Sequence, residues 1–216
     1  MVIEQGVKAQ STAKENVLGL VLAGGQSSRM GRDKAQLCLG EHSLLDVIKR
    51  TLHQSGIEQV MISSNHVTGA LSDKIVGCGP LSALHSIVNE SISSQFSGVL
   101  LVPVDMPLLL SAHLTQLHQY GLSHHRVCYY AASHLPVYIP FSTTLKDLIN
   151  QQMVAQHYAL KNLLSKMEVS TLELDKCTNQ ASELSPFYNV NTPEQWQQLA
   201  QWHGKQKNQR KPKCPQ

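Results

Sequence analysis

The chemistry most legible in this chain lies in the stretch Leu22–Lys34, LAGGQSSRMGRDK. Ala23, Gly24 and Gly25 let the backbone turn sharply and bring its N–H groups close to a ligand. Ser27 and Ser28 add hydroxyls, Arg29 a fork-shaped guanidinium and Lys34 a terminal ammonium. Such donors suit a chain of phosphates. The stretch is neither of the commoner phosphate loops, because Gly31 is not followed by Lys-Ser and no Gly-x-Gly-x-x-Gly occurs. Asp33 suits orienting Lys34, binding a metal or starting a helix. Arg32 suits any solvated position.

A second candidate is Asp105, in PVDMP directly after the apolar run GVLLV. An acid at a strand end, stiffened by Pro103 and Pro107, suits Mg2+, which takes one or two carboxylates together with phosphate and water oxygens. A turn residue or helix cap would use the same aspartate. A third candidate is the run Asn189-Val190-Asn191-Thr192-Pro193-Glu194. Its amides are able to hydrogen-bond a substrate, and the same run is a good helix start. Both readings stand at this level.

These residues need a frame. Val17–Leu22 is short and apolar enough for a buried parallel strand. Ser43 to Gly56 predicts a helix, Gln59–Ser63 a second strand and Lys74–Val76 a short third one. A helix is expected from Pro80, with Leu81, Leu84, His85 and Val88 on one face. Gly98–Val102 predicts the next buried strand, and Ser111–Tyr120 a helix capped by Ser111. Strands are expected over 127–131, 136–139 and 169–174, and helices over 143–151, 158–166 and 192–202. The alternation predicts an α/β fold with three layers and a doubly wound, mostly parallel sheet. Ligands sit at the carboxyl ends of such strands. Leu22–Lys34 and Asp105 both fall there.

Four ordered islands between residue 18 and about 196 resemble the molybdenum cofactor guanylyltransferases of the MobA type. They are LAGG-x-S-x-R-M-G-x-D-K, Gly79-Pro80-Leu81, the Asp105-Met106-Pro107 element and Asn189-x-Asn191-Thr-Pro-Glu. The resemblance implies a Rossmann-like nucleotidyltransferase that moves GMP from GTP to the terminal phosphate of molybdopterin carrying molybdenum, and releases pyrophosphate. It implies nucleotide contacts from Leu22, Ala23, Gly24, Gly25, Lys34, Ser63 and Asp105, and catalytic roles for Arg29, Lys34 and Asp105. It implies that Asp105 holds Mg2+ and that Asn189 and Asn191 face the pterin. Ser63 stands where the family has an asparagine, with Asn65 close by. Ser82-Ala83 stands where Ala-Gly is usual. The acid expected before Gly79 is replaced by Ile75-Val76-Gly77-Cys78, with Asp73 upstream. Cytidylyl-specific relatives read Leu-Ala-Ala-Gly at the first island, so Gly24-Gly25 favours GTP. The alternatives are transfer of another nucleotide or to another acceptor, and a non-catalytic nucleotide-binding protein of the same pathway. The implied partners are GTP, molybdopterin, molybdenum-insertion proteins and cofactor-accepting enzymes.

Composition agrees with an ordered domain: of 216 residues 42% are hydrophobic and 15% charged. No apolar run approaches the ~18 residues needed to span a bilayer. The N-terminal stretch lacks the basic start and apolar core of an export signal. Five scattered cysteines form no C-x-x-C pair, so neither a zinc site nor a disulfide framework is expected and a cytoplasmic setting is. Eleven histidines show no ligand spacing, and the group His113, His118, His124 and His125 is expected to face solvent. Five of the 18 basic residues lie in Gly204–Gln216, leaving 13 against 15 acidic ones. The surplus charge therefore marks a tail rather than a nucleic-acid surface. The expected organisation is a flexible leader over 1–15, one domain over 16–203 and a basic flexible tail over 204–216.

Overall fold

The computed structural model describes residues 16–24, 34–65, 67–71, 79–174 and 184–209. The apolar run opens the sheet as β1 (Val17–Leu22). A small hairpin of β2 (Cys38–Leu39) and β3 (His42–Ser43) leads into α1 (Leu44–Gln54). Ser43 caps α1 by accepting from the Asp46 N–H, and the Asp46 carboxylate takes the Ser43 N–H in return. Gly56 ends the helix region at φ +90, a conformation that glycine adopts without strain. Next come β4 (Val60–Ser63), α2 (Pro80–Asn89), β5 (Gly98–Pro103) and α3 (Ser111–His124).

The second half supplies β6 (Val127–Tyr130), β7 (Ser133–Pro140), α4 (Thr143–Val154), α5 (Leu160–Leu164), β8 (Val169–Leu172) and α6 (Pro193–Gln209). The expected third strand over 74–76 lies outside the described residues. The domain boundary expected at residue 203 falls inside α6.

The six-stranded sheet runs β4-β1-β5-β7-β6-β8. β1 pairs in parallel with β4 and β5, in a register that sets Leu22 opposite both Ser63 and Pro103. β7 is antiparallel to β5 and β6, and β8 is parallel to β6. Two of the five pairings are therefore antiparallel, and the three-layer, mostly parallel architecture holds. Successive side chains of a strand point to opposite faces. Val17 and Val21 thus join Leu100 and Val102 in the core under α1 and α3. Leu18 and Leu20 join Val99 and Leu101 in the core under α2, α4 and α5.

Two expectations for α3 are corrected. Its start is not capped by Ser111; instead the Leu110 N–H donates to His113 Nδ1 at 3.2 Å. His113 and His118 do not face solvent but are buried. His113 packs beside Tyr130 and Phe187, and His118 Nε2 lies 3.0 Å from the Ser55 carbonyl. Burial holds both imidazoles below their ordinary pKa and so keeps them neutral. The helix face that carries them turns toward the sheet, which outweighs the polarity of the rings. Their roles are in packing and capping.

Candidate active site

The carboxyl ends of β1 and β5 open into a cleft of about 280 Å³. The β1 end supplies Leu22, Ala23 and Gly24, and the β5 end Pro103, Val104 and Asp105. Backbone bonds hold these ends side by side. The Val104 N–H donates to the Leu22 carbonyl at 3.1 Å, and the Ala23 N–H to the Ser63 carbonyl at 2.9 Å. The parallel ladder therefore continues just beyond the strands and fixes where the chain leaves the sheet.

At Gly24 a Cβ would meet Ser63 and Ser64 at 3.6–3.7 Å, ordinary van der Waals contact. The neighbouring strand thus does not demand glycine here. Any such demand comes from the cleft side, where a side chain would occupy ligand space.

Lys34 enters the cleft from a short 3-10 turn, Lys34–Gln36, pinned by the buried Ala35. Its ammonium lies 3.7 Å from Asp105 Oδ2 and donates to Asn191 Oδ1. Asn191 belongs to the segment before α6. Buried Val190 donates its N–H to the Asp105 carbonyl at 2.9 Å, which joins that segment to the β5 end. The cap of α6 is Thr192, whose Oγ1 accepts from the Gln195 N–H at 3.3 Å. Thr192 does the capping, and the Asn191 amide turns to Lys34 in the cleft.

Burial raises the Asp105 carboxyl above its ordinary pKa, and the nearby Lys34 charge only partly opposes this. At 3.7 Å the ammonium is too far for the short contact of a strong charge-assisted hydrogen bond. Asp105 is thus a largely buried carboxylate whose charge is incompletely balanced. Its oxygens have the hard-ligand chemistry that a divalent cation would take. No group of three or more His, Cys, Asp or Glu able to hold a metal exists among the described residues. A cation at Asp105 would need further oxygens from a phosphate or water.

The structure brings together Leu22, Ala23, Gly24, Lys34, Asp105 and Asn191. Gly25 and Arg29 lie outside the described residues. Ser63 is buried beneath the cleft and contributes its carbonyl to Ala23. Asn189 is half-buried and does not line the cleft. Pro80, at the start of α2, and Leu135, in β7, complete the wall. Pro80 stands in the Gly-Pro-Leu island, whereas an aliphatic residue such as Leu135 carries no sequence signal for a site. A smaller depression of about 120 Å³ lies at the opposite end of β1, around Asn16, Gly56 and His118. It is remote from the carboxyl ends of the strands, where α/β sheets bind ligands.

Among the described residues, no helix is long and apolar enough to cross a membrane. Residues 19–175 match the MobA-like NTP transferase domain. A molybdenum cofactor guanylyltransferase from Xanthomonas euvesicatoria pv. vesicatoria is 35% identical over 182 residues, spanning 84% of this chain and 93% of that protein. One from Rhizobium meliloti is 32% identical over 197 residues, 85% of this chain and 90% of that protein. The crystal structure of molybdopterin-guanine dinucleotide biosynthesis protein A from Archaeoglobus fulgidus shares the fold at a TM-score of 0.66 and 17% identity. That match covers 88% of this chain and 99% of that one. With its fold, cleft and sequence in agreement, the chain belongs to the MobA-like NTP transferase family.

Proposed function

We propose that this protein is a molybdenum cofactor guanylyltransferase that transfers GMP from GTP to the terminal phosphate of molybdopterin carrying molybdenum. The observation that carries this reading is the meeting of Lys34, Asp105 and Asn191 in a cleft at the β1 and β5 ends. The guanylyltransferase relatives at 35% and 32% identity support the choice of nucleotide and acceptor. In the reaction an acceptor phosphate oxygen attacks the α-phosphorus of GTP. The bond from that phosphorus to its bridging oxygen breaks, and pyrophosphate leaves.

The chain's residues would divide the work by position and charge. The Ala23 and Gly24 backbone, continued by Gly25, would follow the triphosphate. Arg29 and Lys34 would balance charge on the departing pyrophosphate, each donor contributing about 1.5–3 kcal/mol. Asp105 would hold Mg2+, which when bound neutralises phosphate oxygens. Asn191 would orient Lys34 and present its remaining amide donor to the acceptor. Asn189 and Ser63 would act at most indirectly, by holding the segments beside them. A cytoplasmic setting suits the scattered cysteines, and molybdenum-insertion proteins and cofactor-accepting enzymes would stand on either side of the reaction.

Calorimetry with GTP, CTP and ATP in the presence of Mg2+, on wild type and Lys34→Ala, tests this reading. GTP-selective binding that weakens at least about tenfold in the variant is expected from loss of a charged donor. Release of pyrophosphate should also require molybdopterin. A preference for CTP would overturn the guanylyl assignment, and binding of no triphosphate would overturn the enzyme.

A further inference from the structure

We infer that Gln195 is a positioning residue of this site: it sets the backbone of Asn191 so that the Asn191 amide meets Lys34 and the cleft. The inference deepens the guanylyltransferase reading and rests on it. Gln195 lies in the first turn of α6, three residues after the capping Thr192, and is half-buried. Its Oε1 accepts two backbone hydrogen bonds, from the Asn191 N–H at 2.7 Å and the Thr192 N–H at 3.0 Å.

Helix capping accounts for only one of these bonds. In a reciprocal capping box the side chain at this position returns to the N–H of the cap residue, here Thr192. The shorter bond goes one residue further back, to Asn191, outside the helix. The preceding residue, Val190, is anchored on the Asp105 carbonyl at 2.9 Å. Asn191 therefore has an anchored peptide N–H on its own residue and on the one before it. Its backbone is fixed relative to both α6 and the aspartate, which sets the point from which its side chain reaches toward Lys34. An amide held this way reaches Lys34 without the entropic cost of ordering a loose turn.

The full chain tests this through wild type, Gln195→Leu, Gln195→Glu, Asn191→Ala and the double variant Gln195→Leu/Asn191→Ala. Each is titrated with GTP and Mg2+ by calorimetry. The glutamate keeps an oxygen acceptor and is a standard capping-box residue. Gln195→Leu is expected to weaken GTP about tenfold, the scale of losing a residue that orients a ligand group. Gln195→Glu should stay within about twofold of wild type, and Gln195→Leu should cost less than about twofold once Asn191 is alanine. A merely structural role would give the same loss with or without Asn191, which overturns the inference. So would unchanged affinity in Gln195→Leu. Absence of GTP binding by the wild type would overturn the functional reading and this inference with it. Wild-type binding that Gln195→Leu leaves intact overturns this inference alone.

Discussion

Asp105 carries the clearest single-residue consequence. Burial raises its carboxyl above the ordinary 3.8, so the nucleotide-free protein resists ionising it. The stability this group contributes is complete below that ordinary value and is lost as pH rises through the raised one. Asp105→Asn removes the buried anion and with it that loss. In the absence of nucleotide, Asp105→Asn should melt at or above the wild-type temperature at pH 8, with the gap closing toward pH 4. Its turnover should fall about 10²–10³-fold, as for loss of one group that acts on developing charge. Thermal melts across pH alongside a pyrophosphate assay check both halves; a variant that is inactive and also unstable at pH 8 would contradict this account. Legibility at this scale was uneven. Lys34 and Asp105 announce themselves by type and neighbours, whereas Gln195 and Leu135 do not. An amide and an aliphatic residue become functional only through what lies opposite them.

Among the elements, β1, β5, α1 and α2 follow directly from apolar runs, caps and glycines. The reversal that places β7 antiparallel between β5 and β6 does not. Strand direction depends on where the chain returns, which local patterns leave undetermined. The burial of His113 and His118 was hidden for the same reason, since polarity suggests a surface and packing overrides it. One helix residue makes the packing argument sharply. A Cβ on Gly121 of α3 would lie 2.0 Å from Cδ1 of the buried Tyr138 ring in β7. Alanine is normally the better helix former by about 1 kcal/mol. Here Gly121→Ala should instead destabilise by about 1–3 kcal/mol, the cost of overpacking a filled core. A denaturant melt reads the sign directly; stabilisation would mean that helix α3 and β7 yield more easily than their burial implies.

On the scale of the whole molecule, the cleft joins places far apart in the chain: the end of β1 with Lys34, the start of α2, the end of β5, Leu135 of β7 and the segment before α6. Ligand binding should therefore stabilise the domain as one unit. At 100 times its dissociation constant, GTP with Mg2+ would add about 2.7 kcal/mol. For a domain of this size that is a rise in melting temperature of roughly 5–10 °C. Scanning calorimetry should show one transition moving upward, with little shift in Asp105→Asn. Two transitions, only one of them responsive, would contradict a single cooperative unit.

The link from Lys34 to Asn191 spans 157 positions. Chains are synthesised at about 5–20 residues per second, so at least about 8–30 s separate the appearance of these two partners on the ribosome. During that interval β1 and β5 can pair, yet the segment before α6 that lines the cleft does not exist. A nascent or prematurely ended chain lacking the segment before α6 would thus hold Lys34 without the Asn191 amide that it meets in the complete domain. The contact between Lys34 and Asn191 therefore forms only near the end of translation.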